Sequence, residues 1–557
     1  MQRHGLAALH LSGTDPHMSE YLSDHWQTRR FVSGFSGSYG EVVVTPGEAL
    51  LWTDSRYFLQ AEEEMAGTEF RMLPLRVPGE VPPDRWLAEN MAPGSRLGFD
   101  PYTLPLGRYR LFSQVLSPLG ISLVPVPSLV GEIWQERPPL PGNPIFEPGE
   151  ELAGESRASK HARISQMLDL RGAAVTIVSS LSDLAWCYNL RGSDISYNPL
   201  FLGYALIGKG FNHLFTRRGA LSPALEKKLI DEGVIPGDYH AFYDFLATLG
   251  GVTVWLDPAT ANSAIWLAIK EQCPVEESTS PAETLKAVKN STEVEGFRDT
   301  MRSDGVAMVE FLWWLRHHAT DPGTTEFTVG RKLAEFRSRQ PGFMGESFAP
   351  IVGTREHGAV IHLSVTADNA LPLKNEGVLL FDSGGQYLTG TTDITRTVAL
   401  GPVTRQQKTD FTLVLKGVIA LSSAIFPGGT RGIHLDILAR QAMWKHGVNY
   451  GHGTGHGVGH FLNVHEGPAA IRREWNPHEI TAGMVFSNEP GIYRQGEYGI
   501  RTENMMLCVE KETTPFGNFL GFETLTLCPI DTRLLETSLM TPVEIAWRNA
   551  YHHRVRE

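Results

Sequence analysis

Short apolar runs separated by turn residues dominate the first half of the chain. "EVVVTPGEALLWTD" (41–54) is two apolar runs joined by Pro-Gly, a predicted strand pair. "GYALIGKGFNHLFT" (203–216) has the same form. Upstream of each lies a matching segment, "RHGLAALHLSG" and "LRGAAVTIVSS", which reads as a helix end followed by a strand. This echo predicts two successive α/β domains of related build. Between them "QERPPLPGNPIFEPGEE" (135–151) reads as an extended connector. From Ser280 the period changes. Val294, Phe297, Met301, Met308, Val309, Leu312 and Leu315 fall at helical spacing, with Ser291 or Thr292 as the expected cap. Beyond Phe348 short strands return in "FAPIVG", "GAVIHLSV", "GVLLFDSGGQY" and "DITRTVAL", with a helix over 407–424. A third domain of α+β type with antiparallel pairing is expected.

Composition narrows the class. A chain of 557 residues is too long for one core, so two to four domains are expected. The net charge of -13 argues against a nucleic-acid binder and fits a soluble cytoplasmic protein. Cys187, Cys273, Cys508 and Cys528 are scattered, which points away from disulfides and thiolate zinc sites and towards a reducing compartment. No apolar run has membrane-spanning length; the stretch 413–426 is short and interrupted by Lys416. The N-terminus has no secretory pattern. "GYALIGKG" nearly matches a phosphate-binding loop, but Gly210 stands where the magnesium-binding hydroxyl belongs and the intervening residues read as strand. "AEEEM" (61–65) reads as a solvated helix face.

Four acids and one histidine-rich stretch carry the candidate chemistry. In "LLFDSGGQYLTGTTDITRT" a turn near Gly390 predicts a hairpin that places Asp382 and Asp393 on facing strands. Glu489 lies in "FSNEPGIY" before a Pro-Gly turn, and Glu503 in the apolar run "GIRTENMML", read as a strand. Acids on apolar strands are uncommon unless paired or metal-bound. Between the two pairs runs "GHGTGHGVGHFLNVHEG" (451–467), whose glycines imply close backbone approach or unusual dihedrals. Its histidines suit a metal, proton transfer or an oxyanion. Four converging carboxylates repel one another; two divalent ions would cancel their charge. Oxygen-dominated ligands with one imidazole suit manganese, cobalt or iron(II) better than a structural zinc site.

These motifs resemble the metallopeptidases of the pita-bread fold. "VSGFSGSYG", "LWTDSRYF", "LAWCYNLRGSDI", "YNPLFLGYALI" and "KAVKNSTEVEG" are similar to the long, three-domain Xaa-Pro aminopeptidases (aminopeptidase P). The resemblance implies two creatinase-like domains over 1–140 and 141–290, a pita-bread catalytic domain over 291–515 and a C-terminal extension over 516–557. It implies two divalent metal ions, manganese first, with cobalt, iron(II) or zinc as alternatives. Their ligands would be Asp382, Asp393, His456, Glu489 and Glu503, with Asp393 and Glu503 bridging. His362, His452 and His465 would be further active-site histidines, Glu489 a base as well as a ligand, and Tyr493 and Arg501 would support the ligands, Arg501 by orienting Asp382. His460 matches no family role. The implied activity is release of the N-terminal residue from peptides with proline second, by a homodimer to which the segment from Phe516 contributes. A prolidase-like dipeptidase, a metal-free creatinase-like enzyme and a non-catalytic peptide-binding protein are the alternatives.

Overall fold

The computed structural model describes residues 1–557 except positions 78 and 128. The chain forms two compact units, residues 1–149 with 155–283, and residues 150–154 with 284–557.

The first unit contains two six-stranded sheets. β1 (Ala8–Leu11), β2 (Glu41–Val44), β3 (Ala49–Asp54), β4 (Phe70–Leu75), β5 (Arg96–Phe99) and β6 (Ser122–Pro125) lie in the order β4-β3-β2-β1-β5-β6. β7 (Val175–Val178), β8 (Gly203–Gly208), β9 (Phe211–Thr216), β10 (Ile235–Asp238), β11 (Val254–Leu256) and β12 (Val275–Glu277) lie in the order β10-β9-β8-β7-β11-β12. Strand for strand the two orders coincide, so the echo in the sequence is a repeat of topology. The pairs β2–β3 and β8–β9 are the expected antiparallel hairpins. Lys209 and Gly210 form the tip of the second, so the near-match to a phosphate loop is a hairpin turn. Alternation divides the first sheet's side chains. Val43, Leu50 and Trp52 join one apolar cluster, while Val42 and Leu51 join another on the opposite face. Both faces are therefore covered, as mixed α/β sheets require.

The two sheets' domains meet through reciprocal bonds. Leu106 N–H donates to Ala261 O at 2.8 Å, and Ser263 N–H to Leu104 O at 2.8 Å. Gly107 N–H donates to Pro258 O at 2.7 Å, and Ala264 N–H to Pro101 O at 2.9 Å. Equivalent segments, each following an Asp-Pro pair after the fifth strand of its sheet, thus exchange the same bonds. That is the geometry of an isologous dimer interface within one chain.

In the first sheet Glu41 accepts from His10 at 2.8 Å and pairs with Arg108 at 3.1 Å. Burial raises its carboxyl pKa, but His10 and Arg108 more than offset this and hold it at about 2. A depressed carboxyl contributes stability above its unfolded pKa and loses it as pH falls through the folded value. With the side chain 19 % exposed, the contribution is about 2 kcal/mol. Glu41→Gln is expected to lower the thermal midpoint at pH 7. The gap to the parent should close as the pH falls from about 5 to 2; an unchanged gap across that range refutes the assignment.

The longest helix of the second unit among the described residues is Ser291–His318. Its cap is Asn290, not Ser291 or Thr292: the Asn290 side chain accepts from Glu293 N–H, and the Glu293 carboxylate accepts from Asn290 N–H. Phe297, Met301, Met308, Phe311 and Leu315 form the buried stripe. Val309 was expected on it but is 44 % exposed, because one residue beyond Met308 turns the side chain by about 100°. β13 (Phe343–Glu346), β14 (Ile351–Thr354), β15 (Val378–Ser383), β16 (Gly385–Tyr387), β17 (Gly390–Thr391) and β18 (Ile394–Ala399) follow. They make two three-stranded sheets, β13-β16-β17 and β14-β15-β18.

The helices Arg405–Ser422 and Gly432–Trp444 lead to β19 (Ile425–Pro427), β20 (Gly455–Gly457), β21 (Glu466–Ile471), β22 (Val485–Asn488), β23 (Gly491–Arg494), β24 (Tyr498–Arg501), β25 (Asn504–Thr514) and β26 (Gly517–Thr524). A six-stranded sheet runs β19-β26-β25-β22-β20-β21, and β23 pairs with β24. This is the pita-bread α+β architecture. "GAVIHLSV" is not the expected strand. Arg355 adopts φ 51, residues 355–359 form a 3₁₀ turn, and the chain stays irregular to Leu371. The four cysteines are buried and unpaired by disulfides, and no helix among the described residues is long and apolar enough to cross a membrane.

Candidate metal centre

Strand pairing brings the acids together. Asp382 lies near the end of β15, opposite Thr395 of β18, and Asp393 immediately precedes β18. The hairpin β16–β17 joins the two strands and turns at Leu388 and Thr389. Glu489 follows β22. Glu503 does not lie within a strand as expected: it occupies the short break between β24 and β25. Its N–H bonds Thr395 O at 3.1 Å and its carbonyl accepts from Arg396 at 2.6 Å, which ties the break to β18. His456 is the central residue of β20.

Donor atoms of Asp382, Asp393 and Glu503 lie within 4.8 Å of one another, as do those of His456, Glu489 and Glu503. A third such group joins Asp393 and His456 to His465. His456 Nε2 stands 3.4 Å from Asp393 Oδ2 and 3.6 Å from Glu489 Oε1. Its Nδ1 is 2.9 Å from Gly457 O, a bond that places the ring proton there and leaves Nε2 as a lone-pair donor facing the acids. Asp382 Oδ2 receives Arg501 at 2.6 and 3.2 Å. Asp382 Oδ1 is buried and has no hydrogen-bond partner among the described residues.

The electrostatics call for cations. Burial pushes the carboxyl pKa of Asp393 well up, and the charges of Asp382 and Glu489 push it further. Glu489 and Glu503 are raised for the same reasons, burial first and neighbouring carboxylates next. A buried oxygen without a partner, a lone-pair imidazole and acids whose pKa values are raised by burial and then by one another's charge fit divalent cations, which would supply the missing charge and use the open acceptors. The residues present therefore fit two such ions.

The profile of metallopeptidase family M24 matches residues 295–510, and that of its C-terminal region matches 518–557. Creatinase/prolidase N-terminal domain profiles match 1–133 and 136–293. A probable Xaa-Pro aminopeptidase P of Aspergillus flavus is 39% identical over 575 residues, spanning 100% of this chain and 88% of its own. This chain belongs to metallopeptidase family M24. Among solved structures, the X-prolyl aminopeptidase of Caenorhabditis elegans, described as a cytosolic enzyme with a di-nuclear active site, superposes with a TM-score of 0.94. It is 36% identical over 99% of this chain and 91% of its own. The Xaa-Pro dipeptidase of Bacillus anthracis shares the fold at 22% identity and a TM-score of 0.54, covering 68% of this chain and 99% of its own.

The other residues named from the M24 resemblance divide in two. Tyr493 and Arg501 sit directly behind the acids: Arg501 reaches Tyr493 Oη at 2.7 Å, and Tyr493 Oη lies 2.8 Å from His452 Nε2. A continuous chain therefore links Asp382, Arg501, Tyr493 and His452. His465 lies edge-on to His456 with ring centroids 4.4 Å apart, so it joins a metal-capable group although the resemblance puts it outside the ligands. His362 is half-buried in the irregular stretch after the 3₁₀ turn and belongs to none of the three groups. His460 is buried against Phe297.

Three supporting side chains escape the sequence reading. Thr395 Oγ1 donates to Glu503 at 2.8 Å, and Ser487 Oγ accepts from His456 N–H at 3.1 Å. Each stands two residues from a candidate ligand, Asp393 and Glu489, and the period of two along a strand is the signal that would have found them. Glu466 is buried beside His465 and pairs with Lys286 at 3.2 Å and with Lys289; nothing in the sequence joins it to those lysines. Of the two readings of the glycines in the histidine stretch, Gly455 and Gly457 fit close backbone approach. Gly455 and Gly457 do not have positive φ. A Cβ on Gly455 would lie 2.0 Å from Ser487 O, and one on Gly457 2.4 Å from Glu466 O. They admit the neighbouring strands.

Proposed function

We propose that this chain is an Xaa-Pro aminopeptidase that removes the N-terminal residue from peptides with proline second. The observation that carries the reading is the match to the nematode X-prolyl aminopeptidase over 99% of the chain. Asp382, Asp393, His456, Glu489 and Glu503 would hold two divalent ions, manganese in the working enzyme, with Asp393 and Glu503 serving both. Ions bound there supply Lewis acidity and a water acidic enough to ionise near neutral pH. Glu489 takes the proton of the attacking water and returns it to the leaving nitrogen. His362 and His465 donate hydrogen bonds to the oxyanion that forms on the scissile carbonyl. Arg501 orients Asp382, Tyr493 fixes Arg501, and His452 shapes the wall beside them.

The X-Pro bond has no N–H and carries a ring of fixed φ, so selectivity rests on shape rather than on a donor. The test compares Arg-Pro-Pro, Arg-Ala-Pro and the dipeptide Ala-Pro under one manganese loading. Arg-Pro-Pro is expected to be cleaved and Arg-Ala-Pro at least about tenfold more slowly. Preference for Ala-Pro with Arg-Pro-Pro untouched would make the protein a prolidase-like dipeptidase.

The proposed enzyme is cytoplasmic and divides at 1–140, 141–290, 291–515 and 516–557. It acts as a homodimer through the catalytic domain. Phe516, 91 % exposed at the β25–β26 tip, supports a contribution from the C-terminal segment. Light scattering at micromolar concentration should give twice the chain mass; a monomer refutes the dimer.

A further inference from the structure

Glu326 opens the helix Glu326–Arg337 and is fully buried. Its carboxylate accepts three hydrogen bonds, and all three bind one loop. Thr354 N–H donates to Oε1 at 2.8 Å. Leu371 N–H and His357 Nδ1 reach Oε2, each at 2.8 Å. Glu326 N–H returns a bond to Leu371 O at 3.0 Å. Thr354 ends β14, and Leu371 precedes the bridge between Pro372 and Thr325. One carboxylate therefore ties both feet of loop 355–371 to the start of a helix. Past the 3₁₀ turn the loop has no regular structure, and Ser364 and residues 366–369 are exposed. Its own bonds are few, chiefly those of Asn369 to Thr366 N–H and Ser364 O. His362 stands in this stretch, half-buried. The first turn packs on β24, where a Cβ on Gly499 would lie 1.7 Å from Gly358 O.

We propose that Glu326 is a positioning residue for the reaction, clamping loop 355–371 so that His362 is held at the scissile carbonyl. The proposal rests on the reading of His362 as an oxyanion donor. Only a carboxylate suits the place: it is acceptor-only, and it meets three donors, whereas a glutamine would turn an N–H towards at least one of them. The hydrogen bond to Glu326 raises the His357 pKa. Burial and Arg355 oppose the rise, while the Glu326 and Glu356 charges reinforce it.

The test pairs hydrogen exchange with steady-state kinetics on the full-length, manganese-loaded enzyme. In E326Q, amides of residues 360–371 should exchange at least about tenfold faster. The kcat for Arg-Pro-Pro should fall about 10- to 100-fold with both ions retained, the size usual for a group that orients another. H362A should lose at least as much kcat, about 10²- to 10³-fold, without faster exchange. The double variant E326Q/H362A should be no slower than H362A, because the second change has nothing left to misplace. His357→Asn removes one bond of three and should give a smaller acceleration at the same amides, which serves if E326Q does not fold. Losses that multiply in the double variant overturn the proposal, as does unchanged exchange in E326Q. Full turnover by H362A overturns the reading of His362 itself, whereas unchanged exchange beside an inactive H362A overturns the clamp alone.

Discussion

Asp393→Asn is expected to lower kcat/KM for Arg-Pro-Pro by on the order of 10³-fold or more, above the 10- to 100-fold typical of groups that only orient a ligand. It should also remove at least one of two metal ions, counted by elemental analysis of the purified protein. Asp393 contributes to two of the three metal-capable groups, one with Asp382 and Glu503 and one with His456 and His465. It is buried, and the charges of Asp382 and Glu489 act on it directly. A neutral amide keeps its shape but withdraws a charge that both ions would share, and it presents an N–H₂ where a second acceptor stood. The fold should survive, because the neighbouring register Asp382↔Thr395 and Ser383↔Ile394 is held by backbone bonds. Two retained ions with full turnover would remove Asp393 from the centre.

The parts of this molecule legible in its sequence are those set by local periodicity. The hairpins 41–54 and 203–216 announce themselves by alternation around Pro-Gly and Lys-Gly, and both sheets are built on them. The hairpin that brings Asp382 and Asp393 together follows from its turn, but the two do not face each other across it as expected: Asp382 pairs with Thr395, and Asp393 stands just before β18. His456, Glu489 and Glu503 could be joined to them only by resemblance, since three separate segments converge and no spacing along the chain encodes that. The failures share one cause. "GAVIHLSV" has the composition of a strand, but a buried acid from the helix Glu326–Arg337, remote in sequence, holds both feet of that loop. Gly455 and Gly457 make the close backbone approach that was one of the two readings, but that the approaching strands are β21 and β22 is not written near them in the chain. Glu503 reads as strand because its neighbours do, while the break that frees its side chain is fixed by Thr395 and Arg396 on β18.

His465→Ala should keep both ions and lower kcat by about 10²- to 10³-fold, with KM changed little, the loss expected for one oxyanion donor. The position makes this a sharp test. A ring nitrogen of His465 lies within 4.8 Å of donor atoms of Asp393 and His456, and its ring meets His456 edge-on. By distance alone His465 could be a ligand. Two features favour the other role. His456 already presents a lone-pair nitrogen to the acids, its own proton being committed to Gly457 O. The carboxylates of Asp382, Asp393, Glu489 and Glu503 already supply the four negative charges that two divalent ions require. The backbone under His465 is also fixed from outside the centre, because Glu466 is locked between Lys286 and Lys289. Truncating His465 at Cβ should therefore leave the ligands where they are. A donor lost only in the transition state lowers kcat and kcat/KM together, which separates it from lost substrate binding, where KM alone rises. Elemental analysis decides the remainder: if His465→Ala releases an ion, His465 belongs among the ligands and the oxyanion must rest on His362.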